Sequence, residues 1–175
     1  MYNFVLMKNL RNILFAILSL FCSTSCIKEK TQVEFELKIG DNIPNFSVVM
    51  NDGTTVSSNE LQNGVAIIMF FHTSCPDCRN TLPAVQQIYD QMGKKFPIVL
   101  ISREQNDAEI ARYWEEMGYT LPYSPQSTRA IYNLFATSRV PRVYICNNGV
   151  IKHIFTDAPT PSYSDLTGCL DLYLD

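Results

Sequence analysis

The apolar positions change period sharply between residues 65 and 92. Val65 to Phe71 is an uninterrupted apolar run with the length and β-branched content of a strand buried on both faces. Polar His72, Thr73 and Ser74 end it, and Leu82, Val85, Tyr89 and Met92 then recur at helical spacing until Gly93. Ile98 to Ile101 repeats the buried-strand pattern. Ile110, Trp114 and Met117 share one face of a helix capped by Asn106 or Asp107 and stopped by Gly118, with Trp114 read as a core residue. Ser127 caps a further helix through Ala130, Ile131, Leu134 and Phe135. Val143 to Cys146 and Val150 to Phe155, joined by Asn147-Asn148-Gly149, read as a hairpin, and Thr160 and Pro161 open a last helix to Leu174. Strand and helix in alternation imply parallel pairing with right-handed crossovers. Ahead of this core, Val33, Phe35, Leu37 and Ile39 alternate with charged residues as a half-buried edge strand. Phe46 to Met50 and Thr54 to Ser57 form a hairpin through Asn51-Asp52-Gly53, and Ser58 to Gln62 gives one helical turn.

The chemistry sits where the period changes. Cys75, Pro76, Asp77 and Cys78 place two thiols three residues apart as a buried strand hands over to a helix. At a helix N-terminus, unpaired N–H groups and the helix dipole favour the Cys75 thiolate, and Pro76 suits the first helical position because it has no N–H to leave unpaired. Cys78, one turn further in, suits a less exposed resolving thiol. Asp77 opposes the helix effect and Arg79 partly offsets Asp77; His72 is close enough in sequence to hydrogen-bond the thiol, with a solvated loop histidine as the favoured reading. A metal knuckle would need a second ligand pair. The histidines are His72 and His153 alone and there is no second C-x-x-C, so redox chemistry is favoured over metal binding and no metal ligand set is assigned.

The C-x-x-C after a buried strand, with Pro83 five residues past Cys78, resembles the thioredoxin superfamily. So does Arg139-Val140-Pro141-Arg142-Val143-Tyr144-Ile145, which is similar to that family's cis-proline segment. Ile39-Gly40-Asp41-Asn42-Ile43-Pro44-Asn45-Phe46, then Asp52-Gly53, resembles the membrane-tethered thiol-disulfide members related to TlpA and ResA, and also the peroxiredoxins. The resemblance implies an α/β thioredoxin-like fold: a central mixed sheet flanked by helices, with an N-terminal strand and hairpin extension. It implies a thiol-disulfide oxidoreductase in which Cys75 attacks, Cys78 resolves and Pro76 and Asp77 tune the couple. The Cys75–Cys78 disulfide is then the redox group and no other cofactor is needed. Pro141 would be cis, with the Val140 backbone holding a protein substrate; an isolated X-Pro is far more often trans, at an edge strand's first residue. Met69 and Thr81 stand where relatives place carboxylates, and Ser74 where they place Trp, so no carboxylate is supplied to deprotonate Cys78. Two other activities share parts of the pattern. A peroxidase would use Cys75 as peroxidatic thiol, although that family places Thr or Ser where His72 stands. A copper chaperone would hold Cu(I) on Cys75, Cys78 and a third ligand such as His72.

Composition sets the surroundings. At 175 residues, 46% hydrophobic and 18% charged, the chain is one globular domain plus an end segment. A net charge of −3 without basic clusters excludes nucleic acid as a partner. Residues 1–25 read as a lipoprotein-type signal: Lys8 and Arg11, an apolar run Ile13 to Phe21 too short to span a bilayer, then Ser23, Thr24 and Ser25 before Cys26. Its resemblance to bacterial lipoprotein signals implies a lipidated Cys26, with Ser23 departing from their usual Leu; an ordinary secretory signal is the competing reading. Residues 26–38 are then a tether and edge strand, and 39–175 the thioredoxin-like domain. Either signal delivers a chain of 12 Lys+Arg and 17 Asp+Glu to an oxidising compartment. The lipid anchor places it in the cell envelope, facing the periplasm or exterior. Its partners there are protein disulfides and a membrane electron donor or oxidant. Cys146, in a strand, and Cys169, in the last helix, are small core residues or a structural disulfide.

Overall fold

A computed structural model describes residues 34–93 and 95–174, so the signal segment and Cys26 lie outside the described residues. Among the described residues there are seven strands: β1 (Ser47–Val49), β2 (Thr55–Ser57), β3 (Val65–Phe71), β4 (Ile98–Ser102), β5 (Tyr123–Ser124), β6 (Arg142–Asn147) and β7 (Val150–Phe155). The helices are α1 (Pro76–Met92), α2 (Asp107–Met117) and α3 (Tyr163–Leu170). Every residue of β3 is buried, as its unbroken apolar run requires, and it lies at the middle of a mixed sheet ordered β5-β4-β3-β6-β7. It pairs parallel with β4 and antiparallel with β6. Because β3, β4 and β5 step one way across the sheet, right-handed crossovers put α1 and α2 on the same face. Helix α3 returns to pack beside α1. The β6–β7 turn has Asn148 and Gly149 at φ 52° and 73°, the left-handed pair that closes a two-residue hairpin without splaying its strands. Strands β1 and β2 form a separate two-stranded sheet, as the Asn-Asp-Gly turn predicts.

Alternation along β3 divides the core between two faces. Phe71 stacks against Trp114 of α2 with ring centroids 5.2 Å apart, and the Trp114 indole N–H donates to the Leu121 carbonyl at 2.9 Å. The single tryptophan is therefore a satisfied core residue. Phe70 faces the other way, with centroids 5.3 Å from Tyr132, 4.8 Å from Phe135 and 6.3 Å from Tyr144. The Asn106 side chain accepts from the Glu109 N–H to cap α2, and Gly118 ends it at φ 67°.

Several expectations need correction. The alternating segment before residue 39 does not form an edge strand among the described residues. A single bridge, Glu36 to Ala136, marks it, and Phe35 and Ile39 stay exposed because no neighbouring strand runs alongside them. Residues 127–135 form no α-helix. A 3-10 turn at Tyr132–Leu134 replaces it, because buried Tyr132 and Phe135 anchor the segment three residues apart while Leu134 faces solvent. The last helix is shorter than expected. Ser162 and Asp165 exchange side-chain and backbone hydrogen bonds as a capping box, which starts it at Tyr163 rather than Pro161. Met117 does not share the buried face of Ile110 and Trp114, because α2 ends there and leaves it exposed. Two-residue β5 carries no periodic signal and was not anticipated.

Phe70→Ala should lower unfolding free energy by about 3–5 kcal/mol, since it empties the centre of an aromatic cluster that cannot close over the gap. Urea denaturation checks this: the midpoint should fall with little change in slope.

Candidate active site

Both cysteines stand where the strand–helix junction puts them. Cys75 caps α1 with an extended backbone, and Pro76 opens the helix. The Cys75 thiol donates to the Val140 carbonyl at 3.3 Å, and the Cys78 N–H donates to Cys75 Sγ at 3.4 Å. Cys75 is half-buried and Cys78 fully buried, and both thiols are free in the structure. Two segments 65 residues apart in sequence therefore meet at one sulfur. The Val140–Pro141 peptide bond is cis, as the resemblance implies; Ala158–Pro159 is a second cis bond that the sequence did not signal.

The loop before Cys75 is braced from β4. Buried Gln105 accepts the Thr73 N–H at 3.0 Å and donates to the Thr73 hydroxyl at 2.6 Å. The Arg103 N–H donates to the Phe71 carbonyl at 2.8 Å, and the Arg79 side chain donates to the Thr73 carbonyl while its guanidinium lies 5.3 Å from the Tyr113 ring centre. Gln105 carries no motif or period, so only the folded sheet reveals its contribution. The His72 side chain does not engage either thiol. Its Nδ1 accepts from the Ser74 N–H at 3.2 Å and lies 2.8 Å from the Ser74 hydroxyl. Burial, and then the positive charge of Arg103, hold its pKa below the ordinary histidine value, so it favours the neutral form.

The loop before Pro141 is held equally closely. The Tyr132 hydroxyl donates to the Arg139 carbonyl at 2.7 Å, and Arg139 pairs with Asp157 at 2.9 Å on the rim. Around Cys78 there is no carboxylate among the described residues placed to act as base. Met69 is fully buried, and the Thr81 hydroxyl is spent on the Asp77 carbonyl at 2.9 Å. Burial accordingly pushes the Cys78 thiol far up, only partly countered by the His72 backbone amide and Arg103. Cys146 and Cys169 are both free rather than paired. Burial pushes the Cys146 thiol up to about 12 and also raises Cys169.

Known proteins resemble this chain along most of its length. Residues 39–154 match the AhpC/TSA family. Tryparedoxin from Trypanosoma brucei brucei is 25% identical over 130 residues, covering 72% of this chain and 90% of that protein. The thiol-disulfide oxidoreductase ResA of Oceanobacillus iheyensis is 23% identical over 146 residues, covering 80% of this chain and 74% of that protein. Among solved structures, the exposed lipoprotein thioredoxin of Streptococcus pneumoniae superposes with a TM-score of 0.63 at 15% identity, over 74% of this chain and 99% of that one.

Burial separates the thiols. Iodoacetamide at mildly alkaline pH should label half-buried Cys75, and should label half-buried Cys169, whose thiol burial pushes up, only slowly. Cys78 and Cys146 should be labelled only on unfolding, as peptide mapping by mass will read. Gln105→Leu, which leaves the buried Thr73 N–H unpaired, should cost about 1–3 kcal/mol in thermal or urea unfolding. A family match spanning residues 39–154 and a free dithiol at the strand–helix junction lead to one assignment: the chain belongs to the AhpC/TSA family and is a thioredoxin-like thiol-disulfide oxidoreductase.

Proposed function

We propose that this enzyme reduces disulfides of exported polypeptides in the cell envelope, held to the membrane through a lipidated Cys26 and recharged by a membrane electron donor. The observation that carries the reading is the single sulfur contact: Cys75 half-exposed on the Val140 carbonyl, with Cys78 buried directly behind it. Cys75 as thiolate attacks a substrate disulfide, forming a Cys75–substrate bond while the other substrate sulfur leaves as thiolate. Val140 and Pro141 line the substrate backbone, and Pro76 and Asp77 set the environment of the attacking sulfur. Cys78 then loses its proton and attacks Cys75 Sγ, releasing the second substrate sulfur. The substrate gains two electrons, and the protein is left with a Cys75–Cys78 disulfide as its redox group. With no carboxylate among the described residues placed to act as base, the Cys78 proton passes to solvent hydroxide or to the departing substrate thiolate.

Export and anchoring are supported by the n-region, apolar run and small residues before Cys26, and by the likeness to a protein described as an exposed lipoprotein thioredoxin. The direction is supported by the likeness to ResA. Equilibration with glutathione or dithiothreitol, read by mass, tests it. A potential near the roughly −270 mV of thioredoxin fits a reductase, whereas one near the roughly −120 mV of a strong oxidant would make the protein a disulfide donor instead. Failure to form any Cys75–Cys78 disulfide, with peroxide consumption retained, would assign the site to peroxidase chemistry.

Two further outcomes follow from the buried thiol. Cys78→Ser should arrest the reaction as a covalent adduct between Cys75 and substrate, visible as a reducible higher-mass band. Because burial holds the Cys78 thiol well above the ordinary value, its thiolate fraction is far from saturation near neutrality. Release of substrate from the mixed disulfide should therefore quicken by about tenfold per pH unit between about pH 6 and 9, without a plateau, in stopped-flow measurements.

A further inference from the structure

Arg142 follows Pro141 directly, yet it is one of the most buried charged side chains described: its side chain is only 7% exposed. Its guanidinium donates to the Ser138 hydroxyl at 2.6 Å and pairs with the Glu36 carboxylate at 2.7 Å, while its Nε finds no partner. The first contact closes the turn from Ser138 to Arg142 on itself. The second fastens that turn to the segment ahead of the domain. That segment is in turn hydrogen-bonded on both sides of the bridge at Glu36: the Leu37 N–H donates to the Phe135 carbonyl at 2.9 Å and the Thr137 N–H to the Phe35 carbonyl at 3.0 Å. A buried guanidinium must keep a counter-charge, so the turn cannot shift without the segment, nor the segment without the turn. Within that turn lies the Val140 carbonyl, which meets Cys75.

We propose that the Glu36–Arg142 ion pair positions the Val140 backbone for extended polypeptide disulfides, which makes the segment around Glu36 part of the substrate-binding apparatus. This rests on the reading of Val140 as a substrate contact. Glu36 and Arg142 touch neither thiol; they act through the turn. The role is therefore specific to substrates that need a backbone partner, and a small aromatic disulfide that only meets the Cys75 sulfur does not depend on it.

The test compares wild-type protein with Glu36→Ala and Glu36→Gln, using insulin as the polypeptide disulfide and dithionitrobenzoate as the small one, together with the Cys75–Cys78 potential. Glu36 is 41% exposed, so its loss opens no core cavity. Glu36→Ala should raise KM for insulin by about fivefold while kcat, the dithionitrobenzoate rate and the potential stay at wild-type values. Glu36→Gln keeps an acceptor for the guanidinium and should stay within about twofold of wild type. A purely structural contact would weaken neither substrate well below the unfolding temperature. An unchanged insulin KM therefore overturns the inference, as does an equal loss toward both disulfides. Wild-type protein that forms the Cys75–Cys78 disulfide but leaves insulin oxidised would instead remove the reductase reading, and this inference with it.

Discussion

The register of β3 against both its neighbours is the constraint on which the site depends. Phe71 lies opposite Ser102 on one side, and Phe70 opposite Arg142 on the other. The three strands thus bring their connecting loops together at the carboxyl end of β3. The loop leaving β3 carries Cys75, the loop leaving β4 carries Gln105, and the loop entering β6 carries Val140 and Pro141. Hydrogen bonds cross between these loops, from Gln105 to Thr73 and from Cys75 to Val140, and the fully buried β3 keeps them within reach. A slip of one residue in either pairing would turn Phe70 and Phe71 to the wrong faces, so the core that stabilises the sheet also fixes the thiol geometry.

What the sequence made legible was local. The change from a continuous apolar run to helical spacing located β3, α1 and the cysteines between them, because burial on both faces and amphipathic packing leave different periods. Asn-Asp-Gly and Asn-Asn-Gly located two hairpins, because few residues tolerate the backbone angles those turns need. What was not legible was long-range. Gln105 reads as an ordinary polar loop residue until β4 sets it beside Thr73. Arg142 reads as a solvated charge until Glu36 and Ser138 close around it. The helix expected from Ser127 failed for a related reason. Its apolar spacing was real, but Tyr132 and Phe135 were drawn to the Phe70 cluster and the Tyr132 hydroxyl to Arg139, and these anchors outweighed a weak helical preference.

Departures from the family pattern have a physical counterpart. With Met69 and Thr81 at the positions where the resemblance leads one to expect acids, the interior behind the cysteines holds no carboxylate among the described residues placed to accept a proton. Deprotonation of Cys78 then has to wait for a base brought in from outside. That couples the resolving step to solvent or to the departing substrate thiolate rather than to a residue always at hand. In the resting dithiol the inner thiol is pushed towards its protonated form by burial, and the outer one donates to a backbone carbonyl.

The unequal burial of the two thiols also bears on oxidative damage. An oxidant such as peroxide reaches Cys75 but not Cys78, so the first oxidation product is a sulfenic acid on the outer sulfur, one helical turn from a protected thiol. Condensation of the two expels water and gives the ordinary, reducible disulfide. Further oxidation to the irreversible sulfinic acid would require a second oxidant molecule to arrive before a neighbour already in place. Shielding Cys78 therefore turns a damaging encounter into formation of the same disulfide that thiol exchange produces.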